Sequence, residues 1–249
     1  MLALAAAGRA ADSEEDIAGR LFRIHANSPS NDALVCTNAA QAIASLGPGP
    51  YRAAARAIDG WHLLRTGRVT DAKAVYQALL EDSSSPPALI ELAKRWLTRI
   101  DREEVRAALL KVWVKNIRFP DSLDALPAPQ PPPVDRWGRA WRYKPGTLKI
   151  LKSDAQRYEL LSPVLGPDSD LADALRRPWP LESSARPLIV NSAPGSNPVV
   201  TFQTAGPPQE KAMMTEGKSW MGIVLVKVGI RALIVAESDY VFFPLKPGS

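Results

Sequence analysis

Hydrophobic residues in the first half of the chain recur at helical spacing. Ile17, Leu21 and Ile24 lie at i, i+4 and i+7, which places them on one face of a helix that begins after Ser13. Breakers rich in Gly, Pro, Ser and Asn then separate further periodic stretches. The pattern predicts helical hairpins with short links, and the remaining helices are expected at about 32–46, 51–65, 71–81, 88–99 and 101–116.

The pattern changes near residue 119. The chain has 24 Ala and 5 Pro before this point, and 12 Ala and 18 Pro after it. Since alanine favours helices and proline ends them, the second half is expected to be poor in helix. Apolar runs near the carboxyl end predict strands at 199–204, 220–228, 230–236 and 240–245.

These segments predict a multidomain α+β fold. We expect a helical-repeat domain over 12–100, a small α+β module over 101–177 and a small antiparallel β-domain over 199–249. The intervening segment, 178–198, is rich in proline and is predicted to be an interdomain linker.

The third and fourth predicted helices resemble a tetratricopeptide repeat. Gly60, Gly67, Ala72 and Tyr76 stand at the spacings that this family uses, within a 34-residue unit over 53–86. The family's leucine near residue 59 is absent, and the other hairpins match poorly. A generic helical bundle therefore remains the alternative.

A helical repeat of this kind implies a partner-binding concave surface lined by the first helix of each hairpin. Trp61 would be the aromatic anchor of that surface if it is exposed, and the alternative is that it packs between helices. The predicted partner-binding residues are Arg52, Arg56, Trp61, His62 and Arg65.

Residues 101–175 resemble the major pseudopilin of type II secretion systems. The shared order is a long helix, Phe119-Pro120, a short helical turn, a proline-rich loop, the run from Asp135 to Tyr143, and a strand that ends at Ser162. The resemblance implies a small sheet pinned to the helix by large aromatic side chains. The predicted aromatic core is Trp113, Trp137, Trp141 and Tyr143. The cleavage site and hydrophobic assembly helix of that family are missing, so entry into a pilus through that helix is not expected.

Major pseudopilins also hold calcium in the loop after this strand. The matching residues are Asp168 and Asp170, with Asp173 nearby, and carboxylates suit this hard cation. The alternative is that Asp170 caps a helix that begins at Leu171, which needs no ion. We predict no other cofactor.

Composition excludes several kinds of chemistry. The net charge of +5 is spread along the chain, which argues against a nucleic-acid partner. One cysteine, Cys36, and two histidines, His25 and His62, leave little for redox, zinc or acid–base chemistry. Residues 212–219 imitate a phosphate loop, but neighbouring prolines and β-rich runs replace its strand and helix. We therefore predict a protein without catalytic residues.

The functional hypothesis is a non-catalytic scaffold or docking component of a type II secretion or type IV pilus-like assembly. A short resemblance over 217–234 to small β-domains of secretion and pilus assembly proteins supports it. The expected partners are other assembly proteins. The alternative is a cytoplasmic adaptor of the tetratricopeptide type, and an enzyme of unknown type is a minor one.

The beginning of the chain bears on its location. An apolar run at 2–7 before acidic residues at 12–16 is similar to the end of a secretory signal, which predicts a periplasmic or envelope-associated protein. A frayed alanine-rich terminus is the alternative. No run approaches the ~18 apolar residues that a transmembrane segment needs.

Overall fold

Helices precede sheets in this α+β chain. The structure is a computed structural model that describes residues 13–150, 153–177, 188–193, 199–203, 210–229 and 233–242. The amino-terminal helices are α1 Glu14–Asn27, α2 Asp32–Ser45, α3 Pro50–Arg65, α4 Val69–Glu81 and α5 Pro87–Asn116. The prediction of helical hairpins is confirmed for the first four helices, and the links between them are short. The predicted leader-like stretch at 2–7 lies outside the described residues.

Local sequence explains where these helices begin. The Ser13 side chain accepts a hydrogen bond from the Asp16 amide, and Asn31 caps α2 in the same way by accepting from Leu34. Pro50 and Pro87 occupy the first positions of α3 and α5, where a missing amide hydrogen costs nothing.

Helices α3 and α4 approach closely at Gly60. A Cβ atom at this position would lie 2.6 Å from Cζ of Tyr76, whose side chain is fully buried and stacks on Trp96. The ring therefore fills the space that the missing side chain leaves.

Substituting Gly60 with alanine should destabilise the protein by about 2 kcal/mol, because the buried Tyr76 ring has no room to move. Gly19→Ala in α1 is the matched control, since its Cβ would meet only Arg23 at 3.7 Å. The control should raise stability by about 0.5–1 kcal/mol. Urea unfolding measures both, and equal effects of the two variants would contradict the close approach.

Helix α5 is continuous where the sequence predicted two helices. Asp101, where the second of them was expected to begin, is fully buried in the middle of α5. Its carboxylate is tolerated there because the Arg136 guanidinium and the Lys73 ammonium group neutralise it. The predicted boundary at this residue is therefore wrong.

Three antiparallel sheets follow within the described residues. Strands β1 Arg142–Ile150 and β2 Ser153–Leu161 form a hairpin, and a short helix α6, Leu171–Arg176, follows it. The second sheet joins β3 Leu188–Ala193, β4 Val199–Gln203 and β5 Lys211–Thr215. The third joins β6 Ser219–Trp220, β7 Ile223–Val228, β8 Leu233–Glu237 and β9 Tyr240–Phe242 in sequence order.

The strand predictions are confirmed in part. A turn at Met221 and Gly222, both with positive φ, divides the predicted strand at 220–228 into β6 and β7. Strand β3 lies inside the segment predicted as a linker, so that prediction is wrong for 188–193; the rest of 178–198 lies outside the described residues.

Two hydrophobic cores divide the described chain. The first joins the helical hairpins, the amino-terminal half of α5 and the carboxyl-terminal sheets. The second surrounds the carboxyl-terminal half of α5 and contains Val105, Leu109, Phe119, Leu126, Trp141 and Leu160. Helix α5 is therefore shared by both cores, while the helical and β regions predicted as separate domains pack together. No helix among the described residues has the length and apolar character to span a membrane.

Candidate docking site

Two of the predicted partner-binding arginines are engaged inside the fold. Arg56 Nη1 lies 2.8 Å from Asp82 Oδ2 at the end of α4, and Arg52 Nη2 lies 3.2 Å from the same atom. Hydrogen bonds from Ser84, together with these guanidinium groups, hold the pKa of Asp82 below its ordinary value. Arg52 and Arg56 therefore tie α3 to α4.

Trp61 and His62 are buried in the first core, with 2% and 0% of their surfaces exposed. The Arg65 guanidinium lies 4.8 Å from the centre of the Trp61 ring and covers it. The condition for Trp61 as an aromatic anchor is therefore not met, and His62 is equally inaccessible. Partner binding through Arg52, Arg56 and Arg65 stays a prediction.

His25 and His62 form a buried hydrogen-bonded chain with Asp32. His62 Nδ1 is 2.6 Å from Asp32 Oδ1, and His62 Nε2 is 2.9 Å from His25 Nδ1. An ionised carboxylate only accepts, so His62 Nδ1 donates to it and His62 Nε2 accepts from His25. Burial, with the charges of His62 and Arg65, lowers the pKa of His25 to about 3. Burial also lowers the pKa of His62, although Asp32 opposes it.

Cys36 is not an activated nucleophile. Burial and the neighbouring Asp59 raise the pKa of its thiol to about 12, so the thiol is protonated at neutral pH. Burial likewise raises the pKa of Asp59 to about 6.

Three of the four predicted aromatic core residues meet in the second core. Trp141 is 6% exposed, Trp113 packs on Phe119, and the Tyr143 hydroxyl donates to the Pro120 carbonyl at 2.7 Å. Trp137 lies elsewhere. Its Nε1 atom donates to Glu91 Oε2, on the amino-terminal half of α5, at 2.8 Å, so its place in this core is a wrong prediction.

The turn that contains Trp137 is held from within by Asp135. One carboxylate oxygen of Asp135 accepts from the amides of Trp137 and Arg139, and the other accepts from the Ser162 hydroxyl at 2.7 Å. This buried carboxylate connects the turn to the end of β2. This contact gives both Asp135 and Ser162 a structural role.

Two buried ion pairs that the sequence does not predict connect distant turns to α5. Arg136 holds Asp101 through two nitrogens, at 2.5 and 3.0 Å. Arg99 forms a bidentate pair with Asp239, in the turn between β8 and β9, at 2.9 and 3.0 Å. The sequence does contain one signal of such pairs, because Arg99 and Asp101 are charged positions on the otherwise apolar inner face of α5 and buried charges need a partner.

The two predicted calcium ligands are engaged by arginines. Arg177 pairs with the Asp168 carboxylate, and Arg102 lies 2.9 Å from Asp170 Oδ2. Asp170 also caps α6 by accepting from the Asp173 amide, so the helix-cap alternative is confirmed. Among the described residues, no three carboxylate, histidine or cysteine side chains are grouped as a metal site requires.

Calcium is therefore expected not to bind in this loop. An ion at Asp168 and Asp170 would have to displace Arg177 and Arg102 and repel both cations. Calorimetric titration should give no heat at millimolar calcium, and the melting temperature should not change. A calcium-dependent rise in melting temperature that is lost in Asp168→Asn would contradict this expectation.

The phosphate-loop imitation forms a β-turn. Glu216, Gly217 and Lys218 connect β5 to β6, and the glycine has a φ of 82°. Glu216 accepts a hydrogen bond from the Val228 amide and pairs with Lys227. A strand follows this turn where a phosphate loop would begin a helix.

A groove of about 450 Å³ lies on the first hairpin, between α1 and α2. Its walls combine apolar side chains with one arginine and two amides. The lining residues are Ile17, Arg20, Leu21, Asn38, Gln41, Ala42 and Ser45.

A second accessible feature lies near the end of α5. Leu110, Val114 and Ile117 form a row at i, i+4 and i+7 and are 42%, 68% and 69% exposed. We call this row the α5 stripe. Val105 and Leu109, on the opposite side of the helix, are fully buried in the second core.

No protein-family model matches the chain, and no curated protein or solved structure is significantly similar to it. The resemblance of 101–175 to a pseudopilin thus depends on the residues quoted for it.

Proposed function

We propose that this protein is a non-catalytic docking component of a type II secretion or type IV pilus-like assembly in the cell envelope. The observation that carries the proposal is the order of elements around the second core. The end of α5, a short 3₁₀ turn at Leu123–Ala125, the turn at Asp135 and the β1–β2 hairpin follow one another as in the pseudopilin-like pattern.

The placement of ionisable groups supports a structural role. Two buried aspartates, Asp239 and Asp101, are paired with arginines within the fold, Arg99 and Arg136. The two histidines are fully buried beside Asp32. A catalytic site instead needs its acid, base or nucleophile within reach of a substrate.

Helix α5 supports a scaffolding role in particular. One 30-residue helix belongs to both cores, so a partner bound to the second core is connected to the helical hairpins without a flexible link. At 1.5 Å per residue, this helix spans about 45 Å.

The experiment is capture of assembly proteins from the native envelope. Tagged full-length protein is crosslinked in cells, purified and analysed by mass spectrometry. Secretion or pilus components should be enriched over a Trp141→Ala control, in which loss of the large buried side chain disrupts the second core. Recovery of no such component would refute the proposed function.

A cytoplasmic helical adaptor is the second candidate, and the groove between α1 and α2 favours it. Its amides and arginine suit the backbone and carboxylates of an extended peptide. The adaptor hypothesis predicts an intact amino terminus and a cytosolic fraction. The envelope hypothesis predicts the reverse, and mass spectrometry of the native protein distinguishes them.

A further inference from the structure

The α5 stripe is a row of large apolar side chains that remain exposed among the described residues. Val114 and Ile117 expose more than two thirds of their surfaces, although Val112 and Trp113 beside them pack against the second core. Exposed apolar side chains grouped on one helix face indicate a binding surface more than isolated ones do.

Ile117 adds a second, independent observation. Ile117 is the residue immediately after α5 and has φ of 55° and ψ of 19°, in the left-handed region. Its amide donates a hydrogen bond to the Trp113 carbonyl at 2.7 Å. Helices commonly place glycine here, because a β-branched side chain makes this backbone conformation unfavourable. The exposed side chain gains little from burial in return. An isoleucine at this position therefore serves something other than the stability of the helix end.

The charges beside the stripe have one sign. Residues 105–118 contain four basic side chains and no acidic one. Arg106 pairs with Glu103 and Arg118 with Asp121, whereas Lys111 and Lys115 have no carboxylate partner among the described residues. The stripe therefore offers two ammonium groups that no described carboxylate neutralises, next to its apolar row.

We propose that the α5 stripe binds an acidic amphipathic helix of a partner protein, an inference that rests on the proposed function and names the chemistry of its partner. The partner's apolar side chains cover Leu110, Val114 and Ile117, and its carboxylates pair with Lys111 and Lys115. Such complementarity favours the correct partner and speeds encounter.

The charged residues around the α5 stripe also argue against two other occupants of this surface. A second copy of the chain in this position would place lysines against lysines, which opposes association. An anionic lipid surface would meet the acidic residues at both ends of the stripe, Glu103 and Glu104 at one end and Asp121 and Asp124 at the other. A partner helix of about 14 residues, or ~21 Å, fits the basic stretch between them.

The experiment uses full-length protein with the photoreactive p-benzoylphenylalanine at position 114, expressed in the native host. Gln156, exposed on β2, carries the same probe as the control. The probe at 114 should crosslink to a segment that mass spectrometry identifies as acidic and that has apolar residues at helical spacing. Yield should fall at least tenfold in Lys111→Glu/Lys115→Glu, and lysine substitutions of the partner's carboxylates should restore it.

Ile117→Gly separates binding from folding. Glycine removes the strain, so the melting temperature should rise by about 2–4 °C, while the loss of the side chain lowers crosslinking at position 114 several-fold. Misfolding could explain a lower crosslinking yield in a less stable variant. It does not explain a lower crosslinking yield in a variant that is more stable than wild type. Unchanged crosslinking in this variant would overturn the proposal.

The remaining outcomes are also decisive. Crosslinks to a second copy or to a basic segment overturn the proposal, as does cosedimentation with phosphatidylglycerol vesicles that requires Val114. An acidic helix from a protein outside any assembly supports this inference and refutes the proposed function. An assembly protein that is captured only through another surface supports the proposed function and refutes this inference.

Discussion

Asp239→Ala is expected to destabilise the protein by about 3–5 kcal/mol, because it leaves the Arg99 guanidinium buried without its counter-charge. Arg99 is fully buried and Asp239 is 2% exposed. Two charge-assisted hydrogen bonds join them, and a third reaches Asp239 from Arg95 Nε at 2.7 Å.

The Arg99–Asp239 pair lies where three parts of the fold meet. Arg99 also donates to the Asp168 carbonyl at 2.8 Å, and the Trp96 indole donates to the Asp239 carbonyl at 3.0 Å. The arginine therefore connects α5 to the β8–β9 turn and to the loop before α6. Although burial alone would raise the pKa of Asp239, interactions with Arg99 and Arg95 hold it below its ordinary value. Its stabilisation is present above about pH 3.8 and is lost as the pH falls below that value.

Urea unfolding at pH 7.5 measures the effect. The matched control is Asp121→Ala, which removes an ion pair with Arg118 whose two side chains are 82% and 69% exposed. The control should cost less than about 1 kcal/mol because water screens the pair. A loss of similar size in both variants would show that the Arg99–Asp239 pair is not buried in solution.

The helices of this fold are predictable because their signals are local. The i, i+4, i+7 apolar pattern and the breakers between helices place α1 to α4 within a few residues of the structure. Gly60 and Tyr76 are also predictable as a close approach of two helices, because the residue without a side chain and the ring that fills its space stand at a characteristic spacing.

The buried ion pairs are not predictable in this way. Asp101 is 35 residues from Arg136, and Asp239 is 140 residues from Arg99. Period and propensity describe neighbours in sequence, so they place a helix boundary at Asp101, although its charged partner Arg136 comes from a distant turn. The same limit explains why the predicted separate β-domain shares its core with the helices.

The sequence does not predict which face of α5 is buried, for a different reason. Its carboxyl-terminal half has two apolar faces, one with Val105 and Leu109 and the other with Leu110, Val114 and Ile117. Periodicity identifies both faces but does not say which one a neighbour covers. The structure buries the first face in the second core and leaves the second face exposed.

The second large expected effect is a loss of stability at mildly acidic pH through His25. The folded pKa of about 3 lies below the unfolded value of 6.5, because burial and the charges of His62 and Arg65 oppose protonation. As the pH falls below 6.5, the unfolded state therefore binds the proton first. The contribution of His25 is complete above pH 6.5 and falls by about 1.4 kcal/mol per pH unit towards pH 3.

Two neighbouring groups modify the pH profile. Burial lowers the pKa of His62 as well, which adds to the loss in the same direction. Asp59 acts in the opposite sense, because burial raises its folded pKa to about 6. Between pH 6 and 3.8 the folded state takes up this proton first, so Asp59 increases stability as the pH falls. The contribution of His25 must therefore be measured as a difference between proteins.

His25→Asn provides that difference. The asparagine amide still donates to His62 Nε2 but does not titrate, and its smaller volume gives a loss of stability that is constant with pH. Free energies of unfolding at pH 7.5, 6.5, 5.5 and 4.5 should show wild type losing stability relative to the variant by about 1.4 kcal/mol per unit below pH 6.5, or about 2–3 kcal/mol at pH 4.5. Parallel profiles would mean that His25 is protonated alike in both states and is not buried beside His62.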